Sequence, residues 1–562
     1  MNSIRIETEI GGARFHRAWH VINVPQVQKA TVIFAPILSR ILFVLCIISR
    51  LAFCGDQVIA QDDVQKLADR IDELIARKWA KNRVVPASAS DDSEYLGRVW
   101  LDIAGKIPTA AEAQDFLDDT AIDKRRRIVD ELLDGPNYVV NWSNVWRRVL
   151  IPEADSDVNI RFMLPGFEGW LRQQLDENKS YDDFVREILT TPVSGVNPYQ
   201  DQNGLSPFAY YQSKEIKPEN LAASTSRMFL GIRIECAQCH DHPFDTWKRK
   251  DFWGYATFFA AMQRQPGGNG FLGQLQELFV QQTLTVPDTN EVVNATYLTG
   301  VSPQIPSGSS ARLTLADWVT SGDNPYFART AANRVWGHFF GTGIVDPVDD
   351  FSESNPPSHP ELLDLLAREL VEHDFDLKFL MRAITASRTY QLTSSVRSAD
   401  TAAEPWLFSR MAVKGMTAEQ LYDSIAQAVG THETFDTTLQ ARFAVTGRSQ
   451  FVEQFSDSRS GPTERQTSVL QALAMMNGGM ITRATDLESS RTLAGIIAYP
   501  GFDTARRIEA LFLSTLHRRP LPDELDRFVK YVESNEEEST TKTALSDVFW
   551  VLLNSSEFSL NH

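Results

Sequence analysis

From Val64 onward, apolar residues recur three and four positions apart, at Val64, Leu67, Ile71, Leu74, Ile75 and Trp79. That spacing predicts one buried face of a helix. The polar run VVPASASDDS then reads as a linker. Between Glu94 and Met262 the segments EAQDFLDD, RRRIVDELLDG, NWSNVWRRVL, GWLRQQLDEN, YDDFVREILT and ENLAASTSRMFLGIRI each carry helical spacing, interrupted by Gly, Pro and Asn. From Gln265 to Ser310 the pattern changes to PGGNG, FVQQTLTV and SPQIPSGSS, which predicts a Gly/Pro/Ser-rich crossover with a few short strands. Helical spacing returns at Leu313 (LTLADWV, FARTAANRVWGHFF, PELLDLLARELVEH, LKFLMRAITAS) and continues to the end. The expected fold is mainly α, with two helical domains joined by the crossover. The divisions fall at 1–60, 61–93, 94–264, 265–310 and 311–562.

The two ends share a pattern. Pro108 to Glu112 with Phe116, then Leu132-Leu133 and Tyr138, parallels Pro520 to Glu524 with Phe528, then Leu552-Leu553 and Phe558. Each copy reads as a Pro-started helix with a carboxylate cap, followed by a second helix and a turn that tucks an aromatic ring back. These are expected to be packing hairpins and not a duplicated active site.

The chain has 562 residues, 43% of them hydrophobic, and a net charge of −18. This length suits several domains, each with its own core. The acidic balance argues against nucleic acid as a partner. Residues 1–60 depart from it, with six basic and three acidic side chains. Inside that segment the apolar run Ile41–Ser49 leads to Val58 and Ala60 before Gln61, the pattern of an export signal cleaved at that point. Arg40 and Arg50 bracket too few apolar residues to cross about 30 Å of hydrocarbon, so no stable membrane span is expected once the signal is removed. Cys54 offers a lipoprotein alternative, with Phe53 a poor residue before a lipidated cysteine. The expected location is the periplasm or the cell surface.

Cys46 and Cys54 fall in the segment expected to be removed, which leaves only Cys236 and Cys239 in a mature exported chain. They stand in Cys236-Ala237-Gln238-Cys239-His240-Asp241-His242, directly after the apolar MFLGIRI. In an exported protein, C-x-x-C-H is the attachment signature of c-type haem: the two thiols join the porphyrin and the next histidine becomes the proximal iron ligand. Two other readings stay open. The cysteines could form a redox or structural disulfide, or Cys236, Cys239, His240 and His242 could hold zinc or non-haem iron.

CAQCHDHPFDTWKRKDFWGYATFFA, with LDIAGKIPTAAEAQDFLDD and LLDGPNYVVNW before it, resembles the planctomycete-type cytochrome-c-like domain of unknown function. RLTLADWVTSGDNPYFARTAANRVWGHFFGTGIVDPVDDFSESNPPSHPELLDLLARELVEHDFDLKFLMRAITASRTYQLTS, SVLQALAMMNGGMI and LLNSSEF resemble its habitual C-terminal partner domain, also of unknown function. Longer members of the family carry a separate cytochrome c module near the amino terminus; here the internal motif is the candidate haem site. A distal iron ligand is then expected from His338 or His359, which fall on motif positions of the partner domain, or from a methionine such as Met262. His242, Asp241 and His338 are the candidate acid/base groups. Arg334, on an apolar helix, is expected to pair with Asp349 or Asp350.

The sequence therefore predicts an exported c-type haem protein in extracytoplasmic redox chemistry or electron transfer, possessing a redox partner protein or a small-molecule or polysaccharide substrate that the residues do not identify. The alternatives are a non-haem metal-dependent enzyme or binding module for extracellular polymers, and a cell-surface scaffold.

Overall fold

The computed structural model describes residues 61–562 apart from 156, 194–204, 265–274, 280–282, 396–403, 432–446, 456–478, 488 and 535–537. The export segment with Cys46 and Cys54, the PGGNG run and most of SVLQALAMMNGGMI lie outside the described residues. The protein is mainly α, with three two-stranded antiparallel sheets among the described residues. No helix there is long and apolar enough to cross a membrane.

The first helix, 61–82, turns the predicted face inward: Leu67, Ile71, Leu74 and Ile75 are buried, and Val64 and Trp79 pack at the margin. The next, Asp92–Val99, is capped by Asp91, whose carboxylate accepts from Glu94 N. It runs into a single π-helical turn, Trp100–Ala104, closed by Gly105 at φ +72°. A side chain at Gly105 would collide with Asn141, whose amide donates to the carbonyls of Asp102 and Ile103. Glycine is therefore needed here both for its backbone conformation and for the close approach.

Two cores form, and they do not follow the order of the chain. The larger joins helices from before the crossover, such as Pro136–Leu150 and Tyr181–Thr190, with helices from after it, such as Phe327–Phe340, Pro360–Glu372 and Leu377–Ala386. The smaller is built by Ala418–Val429, Thr504–Leu516 and Glu538–Leu553, with Leu101 and Ile107 reaching in from the amino-terminal part. The π turn is the joint: Trp100 and Ile103 enter the first core, while Leu101 enters the second. A π turn closes an i→i+5 bond and so takes in one more residue than an α turn, which shifts the helical phase and can aim successive side chains at two cores.

The crossover supplies the predicted short strands. Met262–Arg264 pairs with Leu275–Glu277, and Thr283–Thr285 with Val292–Asn294. Buried Glu277 meets buried Arg312, which also donates to the carbonyls of Leu189 and Thr191 and to the Tyr211 hydroxyl. That guanidinium ties the crossover to both flanking helices. The third strand pair, Lys414–Gly415 with Leu560–Asn561, has no signature in the hydrophobic pattern.

The two hairpins have the predicted construction. Thr109 and Glu112 cap each other reciprocally, and Glu524 accepts from Leu521 N at 2.8 Å. Phe116, Tyr138 and Phe558 are buried. The helix Thr504–Leu516 lies against both Ala110–Asp118 and Pro522–Glu533, which gives the hairpins a packing role.

Candidate functional site

The segment before the motif is held from the other side of the crossover. Ser226–Leu230 is a second π turn, ended by Gly231 at φ +67°, where the backbone passes close to Phe351 and Thr330. Phe351 N donates to Gly231 O at 2.8 Å. Asp349 accepts from Arg227 at 2.6 Å and from Arg233 at 2.5 Å. Burial opposes its ionisation, but these two cations hold the carboxyl below its usual range. The expected pairing of Arg334 with Asp349 or Asp350 is not formed, because Arg227 and Arg233 take that carboxylate. Arg334 instead reaches the Met228 carbonyl at 3.3 Å, and its Nε has no hydrogen-bond partner among the described residues.

Ile232 and Ile234 are buried, and the chain then rises to the surface on a 3₁₀ turn, Glu235–Gln238. Ala237 is the buried anchor of that turn, and Cys236 and Cys239 on either side of it are both free and exposed. The turn is fixed through its backbone: Gln238 O accepts from Trp253 Nε1 at 3.0 Å and from Arg249 Nε at 3.3 Å. The loop beyond closes where His242 N donates to Trp247 O at 2.8 Å.

His240 is exposed, and its Nδ1 lies 2.7 Å from the Asp241 carbonyl oxygen. A carbonyl only accepts, so this contact places the ring proton on Nδ1 and leaves the lone pair on Nε2. His242 has the opposite arrangement: its Nδ1 accepts from Phe244 N at 3.3 Å, which puts the proton on Nε2. The Asp241 carboxylate accepts from Arg249 N at 2.9 Å. Phe244, beside the motif, is 85% exposed, an apolar ring with almost nothing over it.

The other candidate histidines lie in different surroundings. His338 packs against Trp142 with the rings tilted and their centres 4.6 Å apart, and donates through Nε2 to Asp102 O at 2.8 Å. Burial pushes its pKa down to about 4, and the Lys414 ammonium acts in the same direction. His359 is buried beside Phe408 with Nδ1 on the Ser358 hydroxyl, and burial holds it at about 4 as well. Met262 is buried in the first crossover strand. The hydrogen-bond and ring partners of His338 and His359 include no residue of the motif, so the structure does not bring these histidines to His240.

Sequence reasoning missed the buried polar centre next to His338. Asp102, 2% exposed, accepts from Lys414 Nζ at 2.6 Å, Asn561 Nδ2 at 2.7 Å and Tyr390 OH at 2.8 Å. Tyr390, Lys414 and Asn561 each lie hundreds of residues from Asp102, and the only local signal was a lone Asp inside the apolar stretch WLDIAG. Nearby, buried Glu419 faces Arg147 and Arg148. Burial alone would raise its pKa, but the two guanidinium groups hold it at about 2.

Residues 70–264 match a family model described as a protein of unknown function, DUF1549 (PSCyt2), and residues 311–450 match one described as a protein of unknown function, DUF1553 (PSD1). No curated protein matches the chain, and neither does any solved structure.

Proposed function

We propose, for a chain that carries the DUF1549 and DUF1553 domains in tandem, that it is an exported c-type haem protein working in extracytoplasmic redox chemistry or electron transfer. The observation that carries this reading is His240. Its Nδ1 is tied to a backbone carbonyl, and its Nε2 lone pair stands free at the surface one residue after two exposed, unpaired thiols. A carbonyl partner on Nδ1 is how proteins orient a metal-binding imidazole and raise its basicity.

The arrangement also favours porphyrin over a bare ion. In haem attachment each thiol adds across a vinyl group, the sulfur bonding one carbon and the proton going to the other, so the sulfurs need not converge on one point. A tetrahedral zinc or iron site needs that convergence. Among the described residues no three His, Cys, Asp or Glu groups are placed to hold a metal ion. Cys236 and Cys239 would hold the haem and His240 its iron. When bound, the group supplies a one-electron carrier. His242, protonated on Nε2, is the proton donor closest in sequence. Asp241 fixes the loop through Arg249. His338, held neutral against Asp102 O, serves the fold. Export rests on the leader pattern of residues 1–60, and the acidic surface suits a basic redox partner.

The test is expression with its leader in a host that has haem-attachment machinery. The expected result is a Soret band, a covalent mass gain of one haem, and loss of both in Cys236→Ser/Cys239→Ser. Exported, folded protein with two titratable thiols and no Soret band would refute it.

A further inference from the structure

A cleft of about 900 Å³ opens in the carboxyl-terminal half of the larger core, between the turn after Phe340, the loop at 355–358 and the segment 404–413. The motif residues do not line it. On one side stands Trp406, 37% exposed on the short turn Pro405–Leu407. Two residues later Phe408 adopts φ +50° and is buried. A left-handed backbone is strained for an aromatic residue, and such strain collects at binding sites. Here the reversal holds Trp406 at the rim while Phe408 forms the inner wall. Pro356 and Pro357 complete an apolar lining.

The polar groups are unusual in being unspent. Glu404 and Arg410 line the cleft, and among the described residues neither side chain makes a hydrogen bond or an ion pair. Asp346 takes only a long contact, 3.4 Å, from Gly343 N. The fourth charge, Lys78, donates to Ser358 O at 2.9 Å and stands 5.4 Å from the centre of the Trp406 ring. Two carboxylates and two cations balance. His359, behind the Phe408 wall, is neutral at physiological pH and leaves that balance intact.

We propose that this cleft binds a neutral oligosaccharide, with a sugar ring lying on the Trp406 indole and its hydroxyls bonded to Asp346, Glu404 and Arg410. A hydroxyl both donates and accepts, so one ligand satisfies carboxylates and a guanidinium together. The C–H face of a sugar is apolar and matches the indole face. A purely apolar ligand would leave three charged groups desolvated without partners, and a polyanion would meet two carboxylates. The volume lies in the range of small-ligand clefts. This inference stands independently of the haem reading.

The test is titration calorimetry of the full chain with cellohexaose, mannohexaose and xylohexaose, with decaproline as the competing ligand class. One oligosaccharide is expected to bind, and Trp406→Ala to weaken it by at least about tenfold, the size of a lost aromatic contact. Arg410→Ala, which removes a side chain that holds nothing in the fold, is expected to weaken it while the melting temperature stays unchanged. Ala412→Trp, which fills the cleft, is expected to abolish binding. Three outcomes overturn the proposal: no binding of any of the three sugars, binding that survives both Trp406→Ala and Ala412→Trp, or decaproline binding in their place.

Discussion

Replacing Asp102 by alanine removes the counter-charge of an ammonium that is sealed from water. Lys414 is 5% exposed, and in the variant it keeps the carbonyls of Phe339 at 2.8 Å and His338 at 3.2 Å but loses the Asp102 carboxylate. Asn561 and Tyr390 lose their acceptor in the same step. Burial and the neighbouring carboxylate both raise the Tyr390 pKa well above its ordinary value, so its hydroxyl remains a donor with nothing to bond. Breaking a buried pair from one side costs about 3–5 kcal/mol, a large part of the 5–15 kcal/mol that holds a typical protein folded. The loss falls at the π turn that feeds both cores, so both should loosen together. The assay is equilibrium urea unfolding of Asp102→Ala, Lys414→Met and Asp102→Ala/Lys414→Met, followed by tryptophan fluorescence. Each single change should cost about 3 kcal/mol or more. The double change should cost less than the sum of the singles by at least about 2 kcal/mol, because it leaves no buried charge. A single variant costing under about 1 kcal/mol, or strict additivity, would refute the reasoning.

Two further predictions concern stability. His338 and His359 are held at about 4 and His517 at about 3, chiefly by burial, whereas the unfolded chain binds these protons near pH 6.5. Stability is therefore intact above about pH 6.5 and declines between there and pH 4, by up to about 3 kcal/mol per histidine at the lower end; a urea midpoint that does not move between pH 7 and pH 5 would contradict this. Gly97 lies inside the helix Asp92–Val99, where propensity favours alanine by about 1 kcal/mol, but an added Cβ would stand 1.9 Å from His517 Nε2. Gly97→Ala should therefore destabilise by about 1–3 kcal/mol, and thermal melting gives the sign directly.

Much of the secondary structure could be read from spacing. The face of the first helix, the helices of LDGPNYVVNWSNVW and PELLDLLARELVEH, and the break at the crossover all follow from local periodicity, which is a property of neighbouring residues. The candidate site was legible to the same depth. C-x-x-C-H announces itself in five letters, and the structure adds the side of the turn on which the thiols stand and the ring nitrogen that carries the proton. The partner of Arg334 could not be read. Three arginines compete for Asp349, and only the backbone path through Gly231 decides that Arg227 and Arg233 take it.

The sequence by itself determined the helices, the short crossover strands and the chemistry-bearing motif, because each depends on residues within a few turns of one another. Tertiary structure alone decided that two cores share one π turn, that Asp102, Tyr390, Lys414 and Asn561 meet in one buried network, and that Trp406, Arg410 and Asp346 face one cleft. Those contacts join residues tens to hundreds of positions apart, and no local pattern records them. Their energy depends on burial, since a charge is a partner or a penalty according to what the folded chain places beside it.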